Sequence, residues 1–182
     1  MVTFHLTFVD SEAVCRMAEA YRSAVQPFAI FDSVPDRWLH MTLQDVAFLD
    51  EVSARHVDDV IDGASDALAQ LKPFDITFLT AQVGTEGVFL PLADSPKLTS
   101  LRHSLRAAVT HAGITPPGEA ESFWPHVSVA YCHASAPSQP VTEALGRTPG
   151  DPATVTISHV DLIALSRDAH VYEWLPVAEI PL

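Results

Sequence analysis

The chain has 182 residues, 48% of them hydrophobic, which is enough to bury the core of one domain. Its 23 acidic residues outnumber its 10 lysines and arginines, so the formal net charge is -13. A surface this acidic repels long polyanions, which excludes long nucleic acid as a partner but leaves a small nucleotide or the terminus of a short RNA.

The beginning of the chain has no basic leader, and no segment approaches the ~20 apolar residues that cross a bilayer. The two cysteines, Cys15 and Cys132, form neither a zinc motif nor a disulfide framework, and we expect buried free thiols. We therefore expect a cytoplasmic monomer that has no membrane partner.

Hydrophobic periodicity and turn signals predict alternating strands and helices. Strands are predicted at 2–8, 38–48, 74–83, 88–92, 124–132, 154–165 and 170–177. Helices are predicted at 11–24, 52–71, 95–112 and 141–145. Turns at 84–87 and 166–169 close two hairpins.

A short phrase occurs twice in the chain, as WLHMTL at 38–43 and as WPHVSV at 124–129. In an extended strand alternate side chains share a face, so His40 projects beside Thr42, and His126 projects beside Ser128. One copy lies in each half of the element order, which indicates a weak internal duplication. The predicted fold is α+β, a single domain over 1–182 with two similar lobes and the motifs facing each other across a central cleft.

Two imidazoles and two hydroxyls around one cleft suit the cleavage of a phosphoester without a metal or other cofactor. For a 2′,3′-cyclic phosphate, a neutral imidazole takes a proton from water while a protonated imidazole donates one to the departing ribose oxygen. The hydroxyls donate to the non-bridging oxygens. With an ordinary histidine pKa of ~6.5 both protonation states are accessible near neutrality, so the pH-rate profile is expected to be bell-shaped.

The phrases resemble the paired His-x-Thr/Ser-x signatures of the two-histidine phosphoesterase superfamily, in its 2′-5′ RNA ligase-like branch with cyclic phosphodiesterase activity. The resemblance extends over nearly the whole chain and implies a bilobal fold with antiparallel sheets lining the cleft. It also implies that His40 is the proton donor and His126 the acceptor, with Thr42 and Ser128 binding phosphoryl oxygens. Reverse 2′-5′ RNA ligation is a further implied activity.

A third match, HLTF at 5–8, lacks the preceding tryptophan. A polar residue on the open face of a first strand is ordinary, and the alternative is that His5 lines the cleft and contacts substrate. Trp38 and Trp124 share the histidine faces, and each is expected either to wall the cleft or to stack a base; Trp124 is included with His5 among the substrate-binding candidates. Tyr131 has odd spacing from Ser128 and is expected to face away from the cleft.

The arginines are expected to have ordinary surface roles. Arg102 and Arg106 lie one helical turn apart, which favours a solvated helix face. Arg167 is predicted in the final hairpin turn, where it is either exposed or in contact with a phosphate.

Two other functions compete with the phosphodiesterase. A metal-dependent hydrolase is disfavoured because the nine histidines include no His-Glu-x-x-His and no close helical pair, so no metal site is predicted. A module that binds a nucleotide or phosphorylated metabolite without turnover is the alternative. The presence of both histidines and both hydroxyls favours catalysis.

Overall fold

The computed structural model describes residues 1–119, 122–166 and 172–182. Its strands are β1 (Val2–Thr7), β2 (Phe31–Ser33), β3 (His40–Ala47), β4 (Phe74–Phe78), β5 (Gln82–Gly84), β6 (Gly87–Pro91), β7 (His126–Cys132), β8 (Ala153–Ile157), β9 (His159–Ser166) and β10 (Glu173–Pro181). Its helices are α1 (Glu12–Val25), α2 (Ala54–Leu68), α3 (Pro96–His111) and α4 (Gln139–Arg147). Among the described residues, no helix has the length and apolarity to cross a bilayer.

Two four-stranded antiparallel sheets form the framework of the molecule, and each contains one motif strand. One sheet has the order β10-β9-β1-β3 and the other the order β2-β7-β6-β5, while β4 and β8 pair separately. The motif strands β3 and β7 contact each other, which brings the two sheets together along the cleft. The predicted bilobal α+β fold with antiparallel sheets is confirmed.

Serine caps fix the starts of three helices. The side chains of Ser11, Ser53 and Ser95 accept hydrogen bonds from backbone N–H groups in the first turns of α1, α2 and α3. Such caps satisfy donors that the helix itself leaves unpaired. These serines therefore explain why the predicted helix starts lie close to the observed ones.

A β-bulge interrupts each motif strand at the residue after the hydroxyl. Between β1 and β3 the register passes from His5–Thr42 to Phe4–Gln44 and skips Leu43. An extra residue inverts the alternation of side chains beyond it. Asp45 therefore lies on the same face of the sheet as Thr42.

The bulge in β7 lies at the equivalent motif position. The register with β6 passes from Ser128 to Ala130 and skips Val129. Tyr131 is thereby returned to the face of Ser128. The two motifs are thus alike in both sequence and backbone irregularity.

Several predicted elements differ from the observed ones because neighbouring strands belong to different sheets. The predicted strand 74–83 is broken into β4, which pairs with β8, and β5, which pairs with β6. The predicted strand 154–165 is likewise divided, into β8 and β9. The three-residue strand β2 was not predicted, since it lies in a turn-rich passage. The predicted turn residue Arg167 lies outside the described residues.

Candidate active site

One cleft, with a volume of about 650 Å³, is lined by both motif histidines and both motif hydroxyls. His40 and Thr42 reach it from β3, and His126 and Ser128 reach it from β7. Alternate positions of an extended strand share a face, so each motif delivers its imidazole and its hydroxyl to the same side. The structure therefore brings the four motif side chains together.

The two imidazoles are held in the same way by the backbone. Nδ1 of His40 lies 2.8 Å from the carbonyl oxygen of Trp38, and Nδ1 of His126 lies 2.9 Å from that of Trp124. A carbonyl can only accept, so each Nδ1 carries a hydrogen and donates it. Nε2 of each ring is left as the atom available for proton transfer.

Aromatic rings surround His40. The ring of His5 stacks on it with centroids 4.5 Å apart, and Trp174 and Tyr172 meet it edge-on at 5.2 and 5.9 Å. Burial, aided by the charge of His126, lowers the pKa of His40 to about 4, although the hydrogen bond to Trp38 opposes this shift. In the free protein His40 is therefore neutral at pH 7, which corrects the expectation based on the ordinary histidine pKa.

His5 does not contact the cleft, so the prediction of direct substrate binding is wrong for this residue. His5 has 0% exposure because it lies on an inner strand of its sheet and the rings of His40 and Trp174 pack against its ring. Its Nε2 lies 3.1 Å from the hydroxyl oxygen of Thr42. His5 therefore lies behind the site, in contact with two residues that line it.

The two motif tryptophans have different surroundings. Trp124 lines the cleft and is 58% exposed, with its ring 4.2 Å from that of His126 and 4.5 Å from that of Phe89. Trp38 instead packs edge-on against Trp174, with ring centroids 4.7 Å apart. Trp124 is thus available to a ligand, whereas Trp38 supports the aromatic cluster beside His40.

Tyr131 lines the cleft, contrary to the prediction that it faces away. Strict alternation along β7 gave that prediction, and the bulge at Val129 overturns it. Asp45, Glu86 and Tyr172 also line the cleft and were not identified from the sequence. The signal for Asp45 is its spacing from Thr42, which equals that of Tyr131 from Ser128.

The two arginines of α3 do not form a solvated face, which corrects that interpretation. Arg102 is 5% exposed, and its guanidinium donates to the carbonyls of Leu43 and Glu119 and lies over the ring of Phe123. Arg106 donates to carbonyls of the loop that follows α3, at residues 116–118. Both arginines fasten this loop to α3 and β3.

Among the described parts of the chain, one group of His, Asp and Glu residues has its ligand atoms within 4.8 Å of one another: His159, Asp161 and Glu179. These residues lie on β9 and β10, and none of them lines the cleft that contains His40 and His126. Asp161 accepts a hydrogen bond from the Thr7 hydroxyl at 2.7 Å, so one of its carboxylate oxygens already has a partner within the protein.

Comparison with known families gives one match over most of the chain. The model of the 2′-5′ RNA ligase superfamily matches residues 9–169, a range that includes both motifs. None of the curated proteins matches the chain in sequence.

Solved structures share the fold at low sequence identity. TT0787 of Thermus thermophilus is 23% identical, with a TM-score of 0.74 over 100% of this chain and 98% of that chain. E. coli LigT complexed with 3′-AMP is 21% identical, with a TM-score of 0.71 over 100% and 97%. The MHV ns2 PDE domain is 12% identical, with a TM-score of 0.58 over 97% and 98%. At these identities the likeness shows the fold alone.

Proposed function

The chain belongs to the 2′-5′ RNA ligase superfamily, and on this premise we propose that it is a phosphodiesterase that hydrolyses a 2′,3′-cyclic phosphate or a 2′-5′ phosphodiester. The substrate is a small nucleotide or the terminus of a short RNA. One observation carries the proposal: two imidazoles with the same Nδ1 anchoring share a cleft with two hydroxyls. Structures of E. coli LigT with 3′-AMP, ATP and NADP+ support a nucleotide ligand.

The reaction on a cyclic phosphate needs one proton acceptor and one proton donor. The oxygen of water forms a bond to phosphorus while His126 Nε2 takes its proton, and the bond from phosphorus to one ribose oxygen breaks. His40 Nε2 gives a proton to that ribose oxygen, so the product is a phosphomonoester. Thr42 and Ser128 donate to the non-bridging oxygens as their charge changes. Ligation would follow the same course, with the hydroxyl of a second ribose in place of water: its oxygen bonds to phosphorus, His126 takes its proton, and the same ribose oxygen leaves with a proton from His40.

The low pKa of His40 makes substrate binding part of the mechanism. A donor must be protonated, and a pKa of about 4 leaves His40 neutral at pH 7 in the free protein. A phosphate anion near an imidazole favours the charged form and raises its pKa. We therefore propose that His40 becomes protonated in the complex with substrate, where the phosphate anion offsets the cost of burying the charge.

One chain supplies all four motif side chains of the cleft, which supports action as a monomer. The free thiols of Cys15 and Cys132 support a reducing compartment such as the cytoplasm. Both thiols are only partly buried, which corrects the expectation of full burial.

The direct test is hydrolysis of the four nucleoside 2′,3′-cyclic monophosphates in the presence of EDTA. We expect turnover that resists the chelator, and the position of the product phosphate will identify the ribose oxygen that leaves. Tight nucleotide binding with no turnover of these compounds or of a 2′-5′-linked dinucleotide would instead support the non-catalytic binding module.

A further inference from the structure

The proposed reaction leaves one buried histidine of the site without a role. His5 has 0% exposure, stacks on His40 with the ring planes 5° apart, and hydrogen-bonds to Thr42. It precedes residues 9–169, the range that the family model matches. It therefore contacts both a candidate proton-transfer group, His40, and a candidate hydrogen-bond donor to the phosphate, Thr42.

The direction of the hydrogen bond between His5 and Thr42 decides what Thr42 can do. If Nε2 of His5 accepts, the hydroxyl hydrogen of Thr42 is used inside the protein and cannot reach a phosphate oxygen. If Nε2 carries a hydrogen and donates, the hydroxyl hydrogen is free to point into the cleft. A neutral imidazole carries a hydrogen on only one of its two ring nitrogens. The tautomer of His5 therefore determines whether the Thr42 hydroxyl can donate to the cleft.

Burial at the other ring nitrogen favours the second arrangement. Nδ1 of His5 is buried and has no hydrogen-bond partner among the described residues. A buried N–H without a partner is rarer and costlier than a buried acceptor without one. The ring hydrogen therefore belongs on Nε2, where Thr42 accepts it.

We propose that His5 is a positioning residue, which keeps the Thr42 hydroxyl as a donor toward the cleft and supports the ring of His40 from behind. The proposal rests on the proposed function, because the group that Thr42 serves is the phosphate of the substrate. His5 acts only through Thr42 and His40.

His5 is held in its neutral form by its surroundings. Burial, together with the nearby charge of His40, holds the pKa of His5 well below its ordinary value. On β9, Asp161 pairs opposite His5 in the register, and its carboxylate accepts from Thr7 at 2.7 Å. His5 therefore does not compete with His40 for the proton that the reaction needs.

The second motif lacks an equivalent of His5. The residue opposite Ser128 in the register is Phe89, just as His5 lies opposite Thr42. A phenyl ring has no donor, and within the described residues the Ser128 hydroxyl has no hydrogen bond. The two hydroxyls therefore differ, with Thr42 oriented by the protein and Ser128 free to turn toward the substrate.

Phe89 occupies the corresponding register position of the second motif, which makes His5→Phe the informative variant. We expect it to lower kcat on a nucleoside 2′,3′-cyclic monophosphate roughly tenfold or more, because the Thr42 hydroxyl is no longer oriented. His5→Gln retains an amide N–H donor at a similar reach and should keep kcat within about threefold of the native value. Thr3→Val, which removes another buried hydroxyl of β1, is the matched control and should leave kcat unchanged.

A double variant separates action through Thr42 from general damage. Thr42→Val should itself lower kcat by about 10²-fold, and adding His5→Phe should lower it no more than about threefold further. Three outcomes would each overturn the proposal. They are a native kcat in His5→Phe, an equal loss of kcat in His5→Phe and His5→Gln, and a loss of kcat in the double variant that equals the product of the two single losses.

The tautomer can be read without any turnover. In the native protein labelled with ¹⁵N-histidine, we expect long-range ¹H–¹⁵N spectra to show the His5 hydrogen on Nε2, and a hydrogen on Nδ1 would overturn the proposal. If the native protein hydrolyses none of the substrates, the proposed function fails while this spectrum still decides the direction of the hydrogen bond.

Discussion

The two motif histidines are anchored alike but shielded differently. His40 lies within a cluster of aromatic rings, whereas His126 contacts Phe89 and the exposed ring of Trp124. Burial disfavours an imidazolium unless an anion compensates it. In the proposed mechanism, the environment of His40 thus links its protonation to the binding of a phosphate.

NMR titration of His40 tests this link. In the free protein its pKa should be about 4, so it gains a proton only as the pH falls through that value. The unfolded chain protonates near 6.5, so the contribution of His40 to the free energy of unfolding is lost as the pH falls from about 6.5 to about 4. Addition of 3′-AMP should raise the pKa of His40. An unchanged pKa in the saturated complex would contradict its assignment as the proton donor.

Trp124 lines the cleft with an exposed ring, and we propose that a base of the substrate stacks on it. Trp124→Ala should raise KM roughly tenfold and change kcat little, because base stacking is worth about 1–3 kcal/mol and the backbone carbonyl that holds His126 is retained. Steady-state kinetics on the preferred nucleotide will measure both constants. Trp124→Phe is the control that retains a stacking surface, and a fall in kcat with unchanged KM in Trp124→Ala would contradict a binding role.

Sequence alternation was enough to place the four motif side chains but not their neighbours. Alternation alone assigns a face to His40 or Ser128, and it fails beyond a bulge, as Tyr131 shows. The burial of His5 could not be predicted from the sequence, since it depends on Trp174, from the far end of the chain, packing against its ring.

At the scale of elements, the motif strands owe their site geometry to the paired bulges. In β7 the bulge at Val129 lies across from Val88 and Phe89, and the two strands approach closely at the neighbouring Gly87, which pairs with Tyr131. Gly87 has φ +152, and a Cβ atom there would clash with the carbonyl oxygen of Ala130. A glycine is therefore required where Tyr131 returns to the cleft face.

Gly87→Ala should lower the free energy of unfolding by more than about 1 kcal/mol, because the backbone around the bulge must shift. Urea denaturation will measure the change. Gly146→Ala is the matched control, since Gly146 lies in α4 with open space around its Cβ position, and it should raise stability by about 0.5–1 kcal/mol. Equal stability of Gly87→Ala and the native protein would contradict the close approach.

Element boundaries followed from the sequence only where local signals exist. The serine caps mark helix starts, whereas the breaks at 79–81 and at Ser158 separate strands of different sheets and leave no local pattern. Pairing partners are a property of the whole chain, so the hydrophobic runs could not reveal them.

At the scale of the molecule, charge limits the substrate. The net charge of -13 is accompanied at the cleft by the carboxylates of Asp45 and Glu86, which outnumber the one arginine among its described lining residues, Arg102. Each added phosphate increases the repulsion between ligand and protein. The site is therefore suited to a ligand with few phosphates.

Catalytic efficiency should fall as the substrate lengthens. We expect kcat/KM for a nucleoside 2′,3′-cyclic monophosphate to exceed that for RNAs of increasing length that carry the same terminus. Added salt should raise kcat/KM for the RNAs by screening repulsion and change it little for the mononucleotide. A kcat/KM that rises with RNA length and falls with added salt would contradict this prediction. It would show that positive groups of the protein dominate the binding of the RNA.

The most direct test of the two-histidine mechanism is the turnover number of His40→Ala and His126→Ala on a nucleoside 2′,3′-cyclic monophosphate. The control is His103→Ala, because His103 is an exposed residue of α3. Each active-site variant should lose roughly 10²- to 10⁴-fold in kcat while the control keeps native turnover. Native kcat in either His40→Ala or His126→Ala would contradict the mechanism.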